Sequence, residues 1–133
     1  MTISSTPAHL PIVRGALERM CEMVGFDEIT RGGIVLAVDE ALTNVIRHAY
    51  HGVEDKPIEI TLRPVPAQGG HVSLWIELRD WGDTAEPSKI RSRELDDVRP
   101  GGLGVYIMKR CMDQVQYAPA PGGGTFLTMI KTL

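Results

Sequence analysis

The sequence predicts an α/β fold in which helices cover one face of a β-sheet. Two patterns carry that prediction. Residues 34–50, IVLAVDEALTNVIRHAY, bring apolar side chains round at Ile34, Val38, Ala41/Leu42, Val45 and Ala49. That is the 3.6-residue period of an amphipathic helix. Residues 57–64 and 71–79 alternate instead, with Ile58, Ile60 and Leu62 apolar in one and Val72, Leu74, Ile76 and Leu78 in the other. Each strand therefore has one apolar face that needs covering, and Pro64, Pro66 and Gln68-Gly69-Gly70 between them form the loop of an antiparallel hairpin. At 133 residues a single domain, 1–133, is expected, with enough chain for a real core.

Composition narrows the function classes. Hydrophobic content of 43% and charged content of 23% are those of an ordinary soluble protein. A net charge of −3 gives no electrostatic footprint for nucleic acid or an anionic membrane, so neither is an expected partner. No apolar run approaches the ~18 residues that span a bilayer. The opening MTISSTPAHL has no basic or apolar leader pattern, so a cytoplasmic protein is expected. Cys21 and Cys111 fall in predicted helices and read as buried free thiols in a reducing compartment.

In chain order, Ser5-Thr6-Pro7 reads as a helix start, a hydroxyl cap with proline in the first turn. That helix runs to about Val24, with Leu10, Val13, Leu17 and Met20/Cys21 on one face, and Gly25 is placed to end it. A turn holding Asp27 and Glu28 leads into the 34–50 helix. There Glu40, Asn44 and His48 follow at i, i+4, i+8 and share a stripe apart from the apolar one. A carboxylate can accept a proton, and an amide oxygen is a hard ligand suited to a magnesium ion that also holds phosphate. The same stripe also fits a solvated face with no chemistry. His48 and His51 spell H-x-x-H, but no further ligand follows nearby, and a structural histidine is the better reading. The second strand runs into Asp80-Trp81-Gly82-Asp83, an acidic turn. Residues 84–100 are polar and unpatterned, a loop length that is usually functional or mobile. Then Gly101-Gly102-Leu103-Gly104 opens a helix over 105–112, where glycine lets backbone amides approach an anion at the helix N-terminus. Residues 113–118 and 125–130 read as two closing strands around a turn.

Each piece is ordinary, but their order resembles the GHKL (Bergerat) ATPases, and within them the small bacterial anti-sigma-factor serine kinases. The likeness covers nearly the whole chain. EALTNVIRHAY looks like the family's N box, DWG like its first glycine box, GGLGVYIMKRCMD like the second and GGGTF like the closing motif. The resemblance implies a two-layer sandwich, a mixed, mostly antiparallel sheet with helices on one face, binding ATP and Mg²⁺. Glu40 matches the proposed general base, Asn44 the Mg²⁺ ligand and Asp80 the acceptor for the adenine amino group. Gly82 lies in the first glycine box, and Gly102, Leu103 and Gly104 lie beside the phosphates. Thr125 matches the hydroxyl that helps hold adenine, and residues 84–99 correspond to the ATP lid.

The chain departs from the family pattern at Thr84, which replaces the second glycine of D-x-G-x-G, and has only Thr2-Ile3-Ser4 for the initial strand, which is absent or very short. The resemblance implies a serine/threonine kinase whose phosphoacceptor is an antagonist protein, with a sigma factor as a second partner and a homodimer in which Trp75 is a candidate contact. The alternatives are a non-catalytic module that holds a regulatory partner, and a detached histidine-kinase domain, for whose dimerisation helices 133 residues leave no room. Glu40 favours the kinase, because holding Mg-ATP calls for Asn44 and Asp80 but for no base.

Overall fold

The computed structural model describes residues 1–83 and 104–133. In chain order these form β1 (Thr2–Ser4), α1 (Leu10–Val24), α2 (Glu28–Asn44), β2 (Pro57–Pro66), β3 (Val72–Arg79), α3 (Gly104–Cys111), β4 (Gln114–Pro119) and β5 (Thr125–Thr132). The hairpin anticipated from the alternating runs is the β2–β3 pair, and the sheet grows outward from it in the order β1-β2-β3-β5-β4. All four pairings are antiparallel, so the mostly antiparallel sheet implied by the resemblance is antiparallel throughout the described residues.

Register explains the single covered face. Ile60 stands opposite Leu78, Leu62 opposite Ile76, Ile76 opposite Met129 and Leu78 opposite Leu127. With a side-chain period of two, these residues make one apolar layer. They share a core with Val13 and Leu17 of α1, Ile34, Val38 and Leu42 of α2, and Met108 of α3. Helix α2 lies against both other helices. Arg14 of α1 grips Asp39 of α2 with bonds of 2.9 and 2.8 Å, but the pair is largely exposed. Exposed pairs contribute about 1 kcal/mol or less, against ~1.5–3 kcal/mol for each buried aliphatic side chain. Packing, not the ion pair, sets the helix layer.

Four local expectations change. Thr6 precedes a 3₁₀ turn at Pro7–His9, yet its side chain makes no cap bond. The neighbouring hydroxyls act instead: Ser4 accepts from the Thr6 amide, and Ser5 donates to the Val53 carbonyl. Helix α2 starts at Glu28, with Asp27 as N-cap accepting from the Thr30 amide at 2.8 Å, because the chain continues helically through Gly32 and Gly33. Beyond Asn44 the helix widens into a π turn, Val45–Ala49, in which the Tyr50 amide bonds the Val45 carbonyl five residues back. His48 lies within this turn and is exposed. Finally, Cys21 is buried, with its thiol pushed up to about 11 by burial, whereas Cys111 is only half-buried; both are free.

Gly25 ends α1 as expected. Its φ of 104° lies in the left-handed region, and the Gly25 and Phe26 amides both bond the Cys21 carbonyl. β1 exists and is three residues long, and just before it Met1 exchanges two hydrogen bonds with Ile60 of β2.

Candidate active site

The described site residues come from four separate segments: α2, the end of β3, the start of α3 and the start of β5. On α2, Glu40 and Asn44 are one turn apart, both half-buried. Neither side chain makes a hydrogen bond or ion pair with another described residue. The first residue of α3 rests on them. A Cβ built on Gly104 would come within 2.9 Å of Glu40 Oε2 and 3.4 Å of Asn44 Nδ2. Glycine here leaves the carboxylate and the amide uncovered at a helix N-terminus, where backbone N–H groups have no partners within the helix. Gly102 and Leu103, and the 84–99 segment matched to the lid, lie outside the described residues.

A second group forms where β3 ends. Asp80 is 4% exposed and Thr125, on the first residue of β5, is equally buried. The Asp80 amide donates to the Thr125 carbonyl at 3.1 Å, and the Gly82 amide donates to Asp80 Oδ1 at 3.0 Å. Burial raises the Asp80 carboxyl above the ordinary aspartate range, although the N–H groups of Gly82 and Thr125 and the charge of Arg79 pull the other way. The corner is locked to the end of the α2 run. Tyr50 Oη accepts from the Trp81 amide at 2.8 Å and donates to the Pro57 carbonyl at 2.5 Å. The Asp83 amide donates to the Ala49 carbonyl at 3.0 Å, and His51 Nε2 pairs with Asp83 Oδ2 at 2.5 Å.

Glycine is required at two points of this corner for reasons internal to the protein. A Cβ on Gly82 would run into the Ala49 carbonyl oxygen, and one on Gly124 into the Asp80 carbonyl oxygen. Gly82 was anticipated as part of the site; its close neighbour is the π turn. Gly124, Tyr50 and Arg79 were not singled out. The only sequence signal for them was position: the end of the N box, the residue before the acidic turn, and the glycine before Thr125.

The residues fit a magnesium nucleotide. Asn44 offers an amide oxygen not committed to another described residue, Gly104 leaves open the space a side chain would fill, and Asp80 is a buried acceptor for an amino group. The profile of a family described as histidine kinase-like ATPase domain matches residues 3–131. The chain belongs to that family. It stands in the anti-sigma kinase branch of these GHKL ATPases. It is 30% identical to the serine-protein kinase RsbW of Bacillus subtilis (strain 168) over 126 residues, covering 87% of this chain and 74% of the relative. The anti-sigma F factor of Oceanobacillus iheyensis is 32% identical over 118 residues, covering 80% and 71%. Among solved structures, the mycobacterial sensor histidine kinase MprB has the same fold, with a TM-score of 0.52, 19% identity, and coverage of 99% of this chain and 96% of that one. Among the described residues of this GHKL chain no helix is long and apolar enough to cross a membrane.

Proposed function

We propose that this GHKL protein kinase transfers the γ-phosphate of ATP to a serine or threonine of an antagonist protein, and acts as an anti-sigma factor in a partner-switching pathway. The observation that carries the reading is the Glu40 and Asn44 side chains, without partners among the described residues, beside Gly104. An exposed polar face with no chemistry would not need a glycine pressed against it. In the proposed step the partner's hydroxyl oxygen attacks the γ-phosphorus, Glu40 accepts the hydroxyl proton, and the bond to the bridging oxygen breaks to release ADP. Asn44 would hold Mg²⁺, which supplies charge neutralisation for the phosphates. Asp80 accepts from the adenine amino group, and Thr125, Leu103, Gly102 and Gly82 complete the nucleotide site. Catalysis of this kind rests mainly on positioning and electrostatics, so a Walker lysine is not needed. The same reading includes a sigma factor as a second protein partner and a homodimer.

The test starts with partners captured with and without ATP, followed by transfer to the captured antagonist. General-base groups contribute on the order of 10²–10⁴ in rate. Glu40→Gln is therefore expected to lose most transfer while keeping ATP affinity within a few-fold, and Asn44→Ala to lose the magnesium-dependent part of binding. Equal transfer by wild type and Glu40→Gln would remove Glu40 as base. Wild-type protein that binds ATP and the antagonist without transfer would leave a pure binding module.

A further inference from the structure

We propose that Arg79 is a positioning residue for nucleotide-base recognition: it pins the 120–124 turn to the end of β3 and so fixes Asp80 and Thr125. Successive residues of a strand point to opposite faces. Leu78 faces the helices and the core, so Arg79 projects from the other side of the sheet, away from the site. An arginine there would ordinarily extend into water, yet Arg79 is only 8% exposed.

Its surroundings show what holds it. The guanidinium carbon lies 4.8 Å from the centre of the Trp81 ring and 4.9 Å from that of Phe126, within range for cation–π attraction on both. Phe126 is the cross-strand partner of Arg79 in the register. Nη2 donates to the Pro121 carbonyl at 3.0 Å and the Gly123 carbonyl at 3.1 Å. Both acceptors belong to the turn between β4 and β5. Nε is buried with no hydrogen-bond partner, so the side chain keeps this placement despite an unmet donor.

The turn held in this way leads directly into the site. Gly124 packs flush on the Asp80–Trp81 backbone, and the Asp80 amide is bonded to Thr125. From the helix side, Tyr50 holds the Trp81 amide. The corner that presents Asp80 is thus gripped from both faces of the sheet, and the outer grip is one side chain. Lysine retains the charge but not the flat guanidinium that stacks on two rings while one of its nitrogens donates to both carbonyls. The consequence for nucleotide rests on the proposed ATP site; the grip itself rests on the geometry alone.

The experiment uses R79M and R79K in the full chain, with two readouts. The first is amide exchange without nucleotide at Asp80, Ala120 and Gly123, whose amides bond Thr125, Gly124 and Ala120 respectively. Exchange in R79M is expected to quicken there by about tenfold or more, the scale of losing one charged hydrogen bond, with α2 amides unchanged. The second is affinity for ATP against inosine triphosphate, which carries an oxygen where adenine has its amino group. R79M is expected to weaken ATP by about tenfold or more and to lose most of the preference for ATP, with R79K between it and wild type. A side chain that merely packs the outer face would weaken both nucleotides equally, and that result overturns the proposal. Unchanged exchange at the three amides overturns it as well. Wild-type protein that binds neither nucleotide would defeat the ATP site instead, and the exchange comparison would then decide on the grip alone. Should R79M not fold, R79K carries both comparisons.

Discussion

Asp80 is held in a state that costs the nucleotide-free protein stability. Its folded pKa is raised above the unfolded value of 3.8, chiefly by burial. A raised value means that stability is complete below 3.8 and is lost as pH rises through the folded pKa. At neutral pH the ionised carboxylate therefore works against folding. Asp80→Asn is expected to melt at a higher temperature than wild type near neutral pH, with the gain shrinking as the pH is lowered towards 3.8. The same variant should bind ATP more weakly, since its amide competes with the adenine amino group as a donor. Melting curves at the two pH values check the first part and calorimetry the second; a lower neutral melting point would mean the carboxylate's hydrogen bonds outweigh its burial. The motifs in the sequence point to Glu40, Asn44, Asp80 and Thr125, because each is a functional group whose chemistry can be named. Tyr50, Arg79 and Gly124 stayed illegible for a physical reason. They act on the backbone of segments far away in sequence, and a carbonyl approached by a glycine leaves no mark on the local pattern.

Helix α2 shows where periodicity stops being informative. Its apolar stripe is plain from Ile34 onward, but the six residues before it are helical too. Two glycines in the first turns argue against helix at a cost of about 1 kcal/mol each relative to alanine. Packing overrides this: a Cβ on Gly33 would lie 3.5 Å from Cys111 Sγ, so α3 comes close at this point. The true start is marked by Asp27, whose carboxyl is held below its ordinary value first by the Thr30 backbone N–H and then by the Thr30 side chain. A lowered pKa gives stability that is present above the unfolded value of 3.8 and is lost as pH falls through the folded one. Asp27→Ala is expected to lower the melting temperature near neutral pH and to matter less in acid, a difference that paired thermal melts would detect. The π turn was equally hidden. Nothing in VIRHA distinguishes hydrogen bonds spanning five residues from those spanning four, and the Ala49 carbonyl of this turn is the group that Gly82 approaches.

For the whole molecule, the two alternating strands and the helix stripe were enough to give the layers, because burial on one face imposes a period that short-range chemistry cannot mimic. The order of the strands was not readable, since pairing β3 with β5 depends on contacts about fifty residues apart. The short β1 also leaves something unguarded. It pairs with Pro57 to Glu59, and Met1 bonds Ile60, so that among the described residues the rest of β2 has no neighbour on that side. Because the Ile60 amide and carbonyl both point outward to Met1, the backbone groups at positions 62, 64 and 66 point outward too. Positions 64 and 66 are prolines, and each lacks the N–H that an incoming strand would need. The bare rim of the sheet is therefore a poor template for another chain, and protection against fibrous self-association is written into two residues that otherwise look like loop punctuation. Replacing Pro64 and Pro66 together by threonine should leave the fold intact while raising the rate of thioflavin-positive aggregation at high concentration. An unchanged rate would mean that the rim is guarded by something other than its missing donors.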